Sequence, residues 1–122
     1  MPSFSKKSID NLVTCDQKLQ AILNRAIEDF DFSVIGGYRD EKTQNKYYDE
    51  GRSRLKYPYS NHNKYPSRAV DIVPYPIDWD DEFRFYKLAT HVYQIASIMK
   101  IPIRWGGTWR TFKDLPHFEL IL

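Results

Sequence analysis

One cysteine in 122 residues excludes an internal disulfide and a thiolate metal cage. Cys15 stands before an expected helix start, far along the chain from the other reactive side chains, and reads as a bland, partly packed thiol. Long apolar runs are missing too. The opening MPSFSKKSIDNLVTCD has lysines but no hydrophobic stretch of signal-peptide length, and nowhere does the chain approach a membrane span. The expectation is a protein made in the cytoplasm of its producing cell, with no membrane insertion. Charge of one sign is scarce: a net charge of +2 attracts polyanions only mildly, which argues against a nucleic-acid partner. Arg52, Arg54, Lys56, Lys64 and Arg68 do cluster, opposite an acidic run of Asp78, Asp80, Asp81 and Glu82. Repeats, linkers and low-complexity tracts are also absent, so the expectation is a single domain over residues 1–122, acting as a monomer.

What the chain has is apolar and aromatic bulk: 42% hydrophobic residues, with nine Tyr, seven Phe and three Trp. That is too rich for a disordered chain. Leu19, Ile22, Leu23, Ala26, Ile27 and Phe30 recur at three- and four-residue steps, predicting a helix with one buried face, capped by Thr14 or Asp16. Phe32 to Ile35 predicts a short strand, and Gly36-Gly37 a sharp backbone turn before Tyr38 and Arg39. Asp40 opens a polar helical stretch, Glu41 to Glu50, with Gly51 as its stop. Ala69 to Val73 reads as a buried strand ended by Pro74 and Pro76. A third amphipathic helix carries Leu88, Val92, Ile95, Ala96 and Met99 on one face. Ile101 to Trp105 reads as an edge strand, Gly106-Gly107 as a turn, and Phe118 to Leu122 as a last strand. The order implies an α+β fold: about three helices packed on a small, largely antiparallel sheet.

Chemistry concentrates at few positions. Asp71 sits inside an apolar strand, where an ionised and unpartnered carboxylate costs several kcal/mol. A divalent cation resolves that cost; so does an arginine or a set of backbone donors. Only three histidines are present. His62 ends Ser60-Asn61-His62, and His117 follows Asp114-Leu115-Pro116, so both can converge with Asp71 across adjacent strands. Zinc catalysis asks for about three such ligands and one open position. His91, on the third helix without a carboxylate at ligand spacing, reads as a structural histidine. Asp114, three residues before a candidate ligand, is placed to carry a proton, with Glu119 as a rival base or an ordinary strand carboxylate. Arg39, behind its double glycine, is a fixed cation for a substrate carboxylate or an oxyanion, or else a surface arginine.

Gly37-Tyr38-Arg39 with Gln44, Ser60-x-His62 with Ala69-x-Asp71, and Trp105-Gly106-Gly107 leading to Asp114-x-x-His117 occur in order from Ile35 onward. In these motifs the chain resembles the L-alanyl-D-glutamate and D-alanyl-D-alanine zinc peptidases, which share their architecture with the Hedgehog signalling domain and include phage endolysins. The tract from Arg104 to Leu120 is especially similar to phage members. The resemblance implies Zn2+ held by His62, Asp71 and His117, Asp114 as catalytic acid/base, Arg39 as the substrate-binding arginine, and a peptidoglycan stem peptide as substrate. It implies cleavage of the L-Ala–D-Glu bond, with D-Ala–D-Ala carboxypeptidase or dipeptidase activity, or a non-catalytic zinc-stabilised module, as alternatives. One departure stands out: eight residues separate His62 from Asp71 where the family pattern has six, with Tyr65-Pro66-Ser67 filling the loop. The ligand roles require that loop to bulge outward.

Overall fold

The computed structural model describes residues 2–121. They form helices α1 (Lys6–Leu12), α2 (Gln17–Ala26), α3 (Glu41–Asp49) and α4 (Glu82–Met99), and strands β1 (Phe32–Gly36), β2 (Ala69–Pro74), β3 (Ile103–Trp105) and β4 (His117–Leu120). The strands make one antiparallel sheet in the order β1-β2-β4-β3. This is the expected α+β class, with one more helix than periodicity suggested. Helix α1 has only seven residues, too few to show a period or to persist on local propensity. It is held by the sheet edge: Asn11 Nδ2 donates to the Val34 carbonyl at 2.9 Å, and the Val34 N–H donates to Ser8 Oγ at 3.0 Å. Both outward-facing backbone groups of Val34, on the edge strand β1, are thereby satisfied.

The other helices start where the sequence marks them. Asp16 accepts from the Lys18 N–H at the head of α2, and Asp40 from the Thr43 N–H at the head of α3. After α3 the chain reverses at Gly51, with φ at +75°. The apolar stripe of α2 (Leu19, Ile22, Leu23, Ala26) packs toward that of α4 (Leu88, Val92, Ile95, Ala96), and α4 crosses β2 and β3. Their buried faces join Val34, Val70, Ile72, Phe118 and Leu120 in one core. His91 takes the structural role expected of it, with Nε2 3.2 Å from the Ala26 carbonyl and its ring stacked on Phe30.

Strand β2 is central, and Ala69, Val70, Ile72 and Val73 are fully buried. Its one acid, Asp71, pairs with Gly36 of β1 on one side and His117 of β4 on the other. The Gly36-Gly37 pair corrects an expectation: neither residue has a positive φ, so the glycines do not serve a left-handed turn. What they supply is room. A Cβ on Gly36 would lie 3.3 Å from Asp71 Oδ2, and one on Gly37 would meet the Asn11 carbonyl and, at 3.0 Å, Cys15 Sγ.

Candidate metal centre and cleft

Register brings the first two candidate ligands together, because Asp71 and His117 are cross-strand partners. The third arrives on a loop. His62 lies in a single 3-10 turn, 61–63, whose N-cap Ser60 accepts from the His62 N–H at 3.1 Å while Asn63 Oδ1 accepts from the Ser60 N–H at 3.1 Å. The same turn is tied to the Arg39 segment: the Arg39 N–H donates to the His62 carbonyl at 2.8 Å, and Asn63 Nδ2 to the Arg39 carbonyl at 3.0 Å. The two extra residues between His62 and Asp71 do bulge outward, with Tyr65 72% exposed. Ser67 brings the chain back, its N–H donating to the Thr14 carbonyl at 2.9 Å and its carbonyl accepting from the Asp16 N–H at 2.8 Å.

Both imidazoles are oriented from behind. His62 Nδ1 lies 2.8 Å from the Gly37 carbonyl, and His117 Nε2 lies 2.7 Å from Glu119 Oε1. In the neutral imidazoles that a metal requires, each outer nitrogen carries the proton, which leaves His62 Nε2 and His117 Nδ1 with lone pairs facing each other across 3.3 Å. Asp71 completes the triangle, with Oδ2 3.3 Å from His62 Nε2 and Oδ1 3.4 Å from His117 Nδ1. Donors at about 2.0–2.1 Å from one tetrahedral ion stand about 3.3–3.4 Å apart. The donor set and spacing fit a zinc ion. Asp71 Oδ1 strengthens the fit, since it is buried and has no hydrogen-bond partner among the described residues.

The electrostatics match. Burial alone would raise the pKa of Asp71, but charge and hydrogen bonds from His62 and His117 outweigh it and hold the carboxyl far below its usual range. Burial likewise opposes protonation of His117, yet hydrogen bonds to Asp71 and Glu119 raise its pKa to about 9 in the metal-free protein. The site is thus built to hold positive charge. Asp114 is shifted the other way: burial, then repulsion from Asp71, raises its pKa above the ordinary aspartate value, with His117, His62 and Arg39 opposing. A raised pKa is the direction that proton transfer by a carboxyl group asks for.

Asp114 is set by its loop. Its N–H donates to the Gly106 carbonyl at 3.0 Å, and its own carbonyl accepts from the His117 N–H at 3.2 Å. A Cβ on Gly106 would collide with the Asp114 carbonyl, so this close approach needs glycine. Two cavities open on the site. One of about 570 Å³ reaches Asp71, and one of about 280 Å³ reaches His62 and His117. Arg39, Arg52 and Asp114 line both and form the waist between them.

Arg39 is less free than a surface arginine. Its Nη1 donates to Gln44 Oε1 at 3.0 Å and its Nη2 reaches Asp71 Oδ2 at 3.4 Å, with the side chain 14% exposed. Gln44 has a part that sequence reasoning did not give it. It is fully buried, accepts from Arg39 and Asn63, and donates to Ser53 Oγ at 2.9 Å and the Leu55 carbonyl at 2.6 Å, joining α3 to the loop that carries His62. Its signal was an amide among charged helix formers, too weak to read alone. Glu119 holds His117 and is itself held by Asn61 Nδ2 at 3.0 Å and Arg104 at 3.6 Å, which makes it an orienting carboxylate. Cys15 is fully buried, more than the expected partial packing, and not remote from the site: its thiol packs against the Ala69 carbonyl of β2 at 4.0 Å.

Comparison with known proteins agrees with this geometry. The family model for phage L-alanyl-D-glutamate peptidase matches residues 2–121. The L-alanyl-D-glutamate peptidase of Escherichia phage T5 is 30% identical over 122 residues, spanning 96% of this chain and 88% of the relative. The peptidoglycan L-alanyl-D-glutamate endopeptidase CwlK of Bacillus subtilis is 28% identical over 102 residues, spanning 75% of this chain and 61% of the relative. The crystal structure of the Serratia marcescens L-Ala D-Glu endopeptidase ChiX superimposes with a TM-score of 0.84 at 29% identity, covering 98% of this chain and 90% of that one. With a family match over the whole described chain, the protein belongs to the phage L-alanyl-D-glutamate peptidases.

Proposed function

We propose that this chain is a zinc-dependent peptidase that hydrolyses the L-Ala–D-Glu bond of peptidoglycan stem peptides, with the metal held by His62, Asp71 and His117. The observation that carries the zinc reading is the meeting of two inward-facing imidazole nitrogens and a largely buried carboxylate at 3.3–3.4 Å from one another. When bound, zinc supplies Lewis-acid polarisation of the scissile carbonyl and acidifies the attacking water. Asp114 takes the proton from that water and returns it to the leaving amine, a role that its raised pKa and its place at the waist support. Arg39 holds Asp71 and keeps a positive charge at the waist, where negative charge develops on the carbonyl oxygen. Glu119 and the Gly37 carbonyl keep the imidazoles aimed inward.

Among the described residues no helix is long and apolar enough to cross a membrane. On this reading the enzyme is made in the cytoplasm, works as a monomer, and meets the wall after release. The test is incubation with peptidoglycan, with chelator, and with chelator followed by zinc, reading the released termini by mass spectrometry. New L-Ala carboxyl and D-Glu amino termini, lost with chelator and restored by zinc, are expected. Release of terminal D-Ala alone would replace this reading with a carboxypeptidase. Metal binding without any release would leave a non-catalytic module.

A further inference from the structure

We propose that Arg52 binds the free carboxylate of the D-glutamyl residue and thereby sets specificity for an acidic residue after the scissile bond; the inference rests on the peptidase reading above. Glutamate has two carboxyl groups and the peptide continues through only one. The residue that supplies the leaving amine therefore keeps a carboxylate, unless it is amidated. That carboxylate is only a few bonds from the scissile nitrogen, so its anchor must stand at the catalytic waist rather than at either end of the cleft. Among the residues lining the cleft, Arg54 and Arg104 reach only the smaller cavity and Lys113 only the larger, whereas Arg39 and Arg52 reach both.

Of these two arginines, Arg39 is already engaged by Gln44 and Asp71. Arg52 is not. Its side chain is 60% exposed, and its ion pair, with Glu50 at 3.6 Å, joins it to a half-exposed neighbour, a pairing that water screens. Arg52 is nevertheless well placed. Gly51 reverses the chain after α3, and the N–H groups of Arg52 and Ser53 both donate to the Tyr47 carbonyl, at 2.8 and 3.2 Å. This turn lays the guanidinium over the Tyr47 ring, 4.0 Å from its centroid, with Arg39 4.5 Å from the same centroid. Stacking fixes the guanidinium plane but leaves its in-plane N–H groups free, the arrangement that suits bidentate binding of a carboxylate.

The experiment compares two defined peptides, one with the D-glutamyl carboxylate free and one with it amidated, cleaved by the zinc-loaded wild-type protein, Arg52→Gln and Arg52→Lys. A charge-assisted pair predicts that the wild type favours the free acid by about 10–100-fold in kcat/KM, mainly through KM. In Arg52→Gln that preference falls to near one. In Arg52→Lys, which keeps the charge but not the planar fork, it lies between. Unchanged zinc content and melting temperature in the variants would show that binding, not folding, has moved. A wild-type peptidase whose acid preference survives Arg52→Gln, or a variant that loses both peptides in equal proportion, overturns the Arg52 assignment alone. A wild-type protein that cleaves neither peptide overturns the peptidase reading and this inference with it.

Discussion

The two halves of the site are held by different forces. Asp71, His117 and Glu119 belong to β2 and β4, where backbone register places them and a buried sheet keeps them. His62, Arg52 and Asp114 stand on loops, placed by side-chain hydrogen bonds and close backbone approaches around Gln44, Asn63 and Gly106. A strand side chain can be replaced without moving the strand, because the ladder does not depend on it. A loop side chain in a hydrogen-bonded hub takes its neighbours with it. Mutations in the two halves should therefore fail differently, one by chemistry and the other by position.

The largest effect is expected from the strand half. Asp71→Asn should abolish stoichiometric zinc binding and lower hydrolysis by roughly 10⁴-fold or more, with the fold retained, since the amide neither neutralises the ion nor accepts as strongly. Elemental analysis, hydrolysis assays and circular dichroism on one preparation check this, and zinc retained at full occupancy would break the comparison at its root. Next comes Asp114→Ala, expected to keep its zinc while losing about 10²–10⁴-fold in turnover. Glu119→Gln should weaken zinc affinity by about 10–100-fold through loss of the carboxylate behind His117; competition against a chelator of known affinity measures it.

The loop half is tested by Gln44→Ala. This removes a buried amide that joins four partners and should cost about 2–4 kcal/mol. Hydrogen exchange is expected to show loosening around residues 52–63 while β2 and β4 stay protected, and uniform loosening would show that the halves are one unit. The smallest effect concerns Cys15, which packs behind β2. Burial raises its thiol pKa from 9.0 to about 12. The raised folded value means that its contribution is complete below pH 9 and is lost as the pH climbs toward 12. Alkylation at pH 8 should be negligible in the native protein and prompt in urea.

Asp71 could be picked out of the sequence because a lone acid in an apolar, β-branched run has few physical excuses. His62 and His117 were legible through their motifs, in a chain with little other metal chemistry to offer. Helix α1 was not legible, because its stability comes from an edge strand more than twenty residues away. The role of Gln44 is hidden for a similar reason: its four partners, Arg39, Ser53, Leu55 and Asn63, lie outside α3, and no local pattern records them. The Gly36-Gly37 pair reads as a turn, since a glycine needed for close approach looks the same in sequence as one needed for a turn.

The sequence by itself therefore determined the periodic helices, the central strand with its costly acid, and the residue types able to hold zinc, because these follow from local patterning and from the price of burying charge. Only the tertiary structure decided which nitrogen of each histidine faces inward, that Arg39 is committed to Asp71 while Arg52 has only an exposed pairing with Glu50, and that Glu119 holds the His117 ring. Those outcomes depend on distances between segments remote in the chain, and hydrogen bonds form or fail within a few tenths of an ångström.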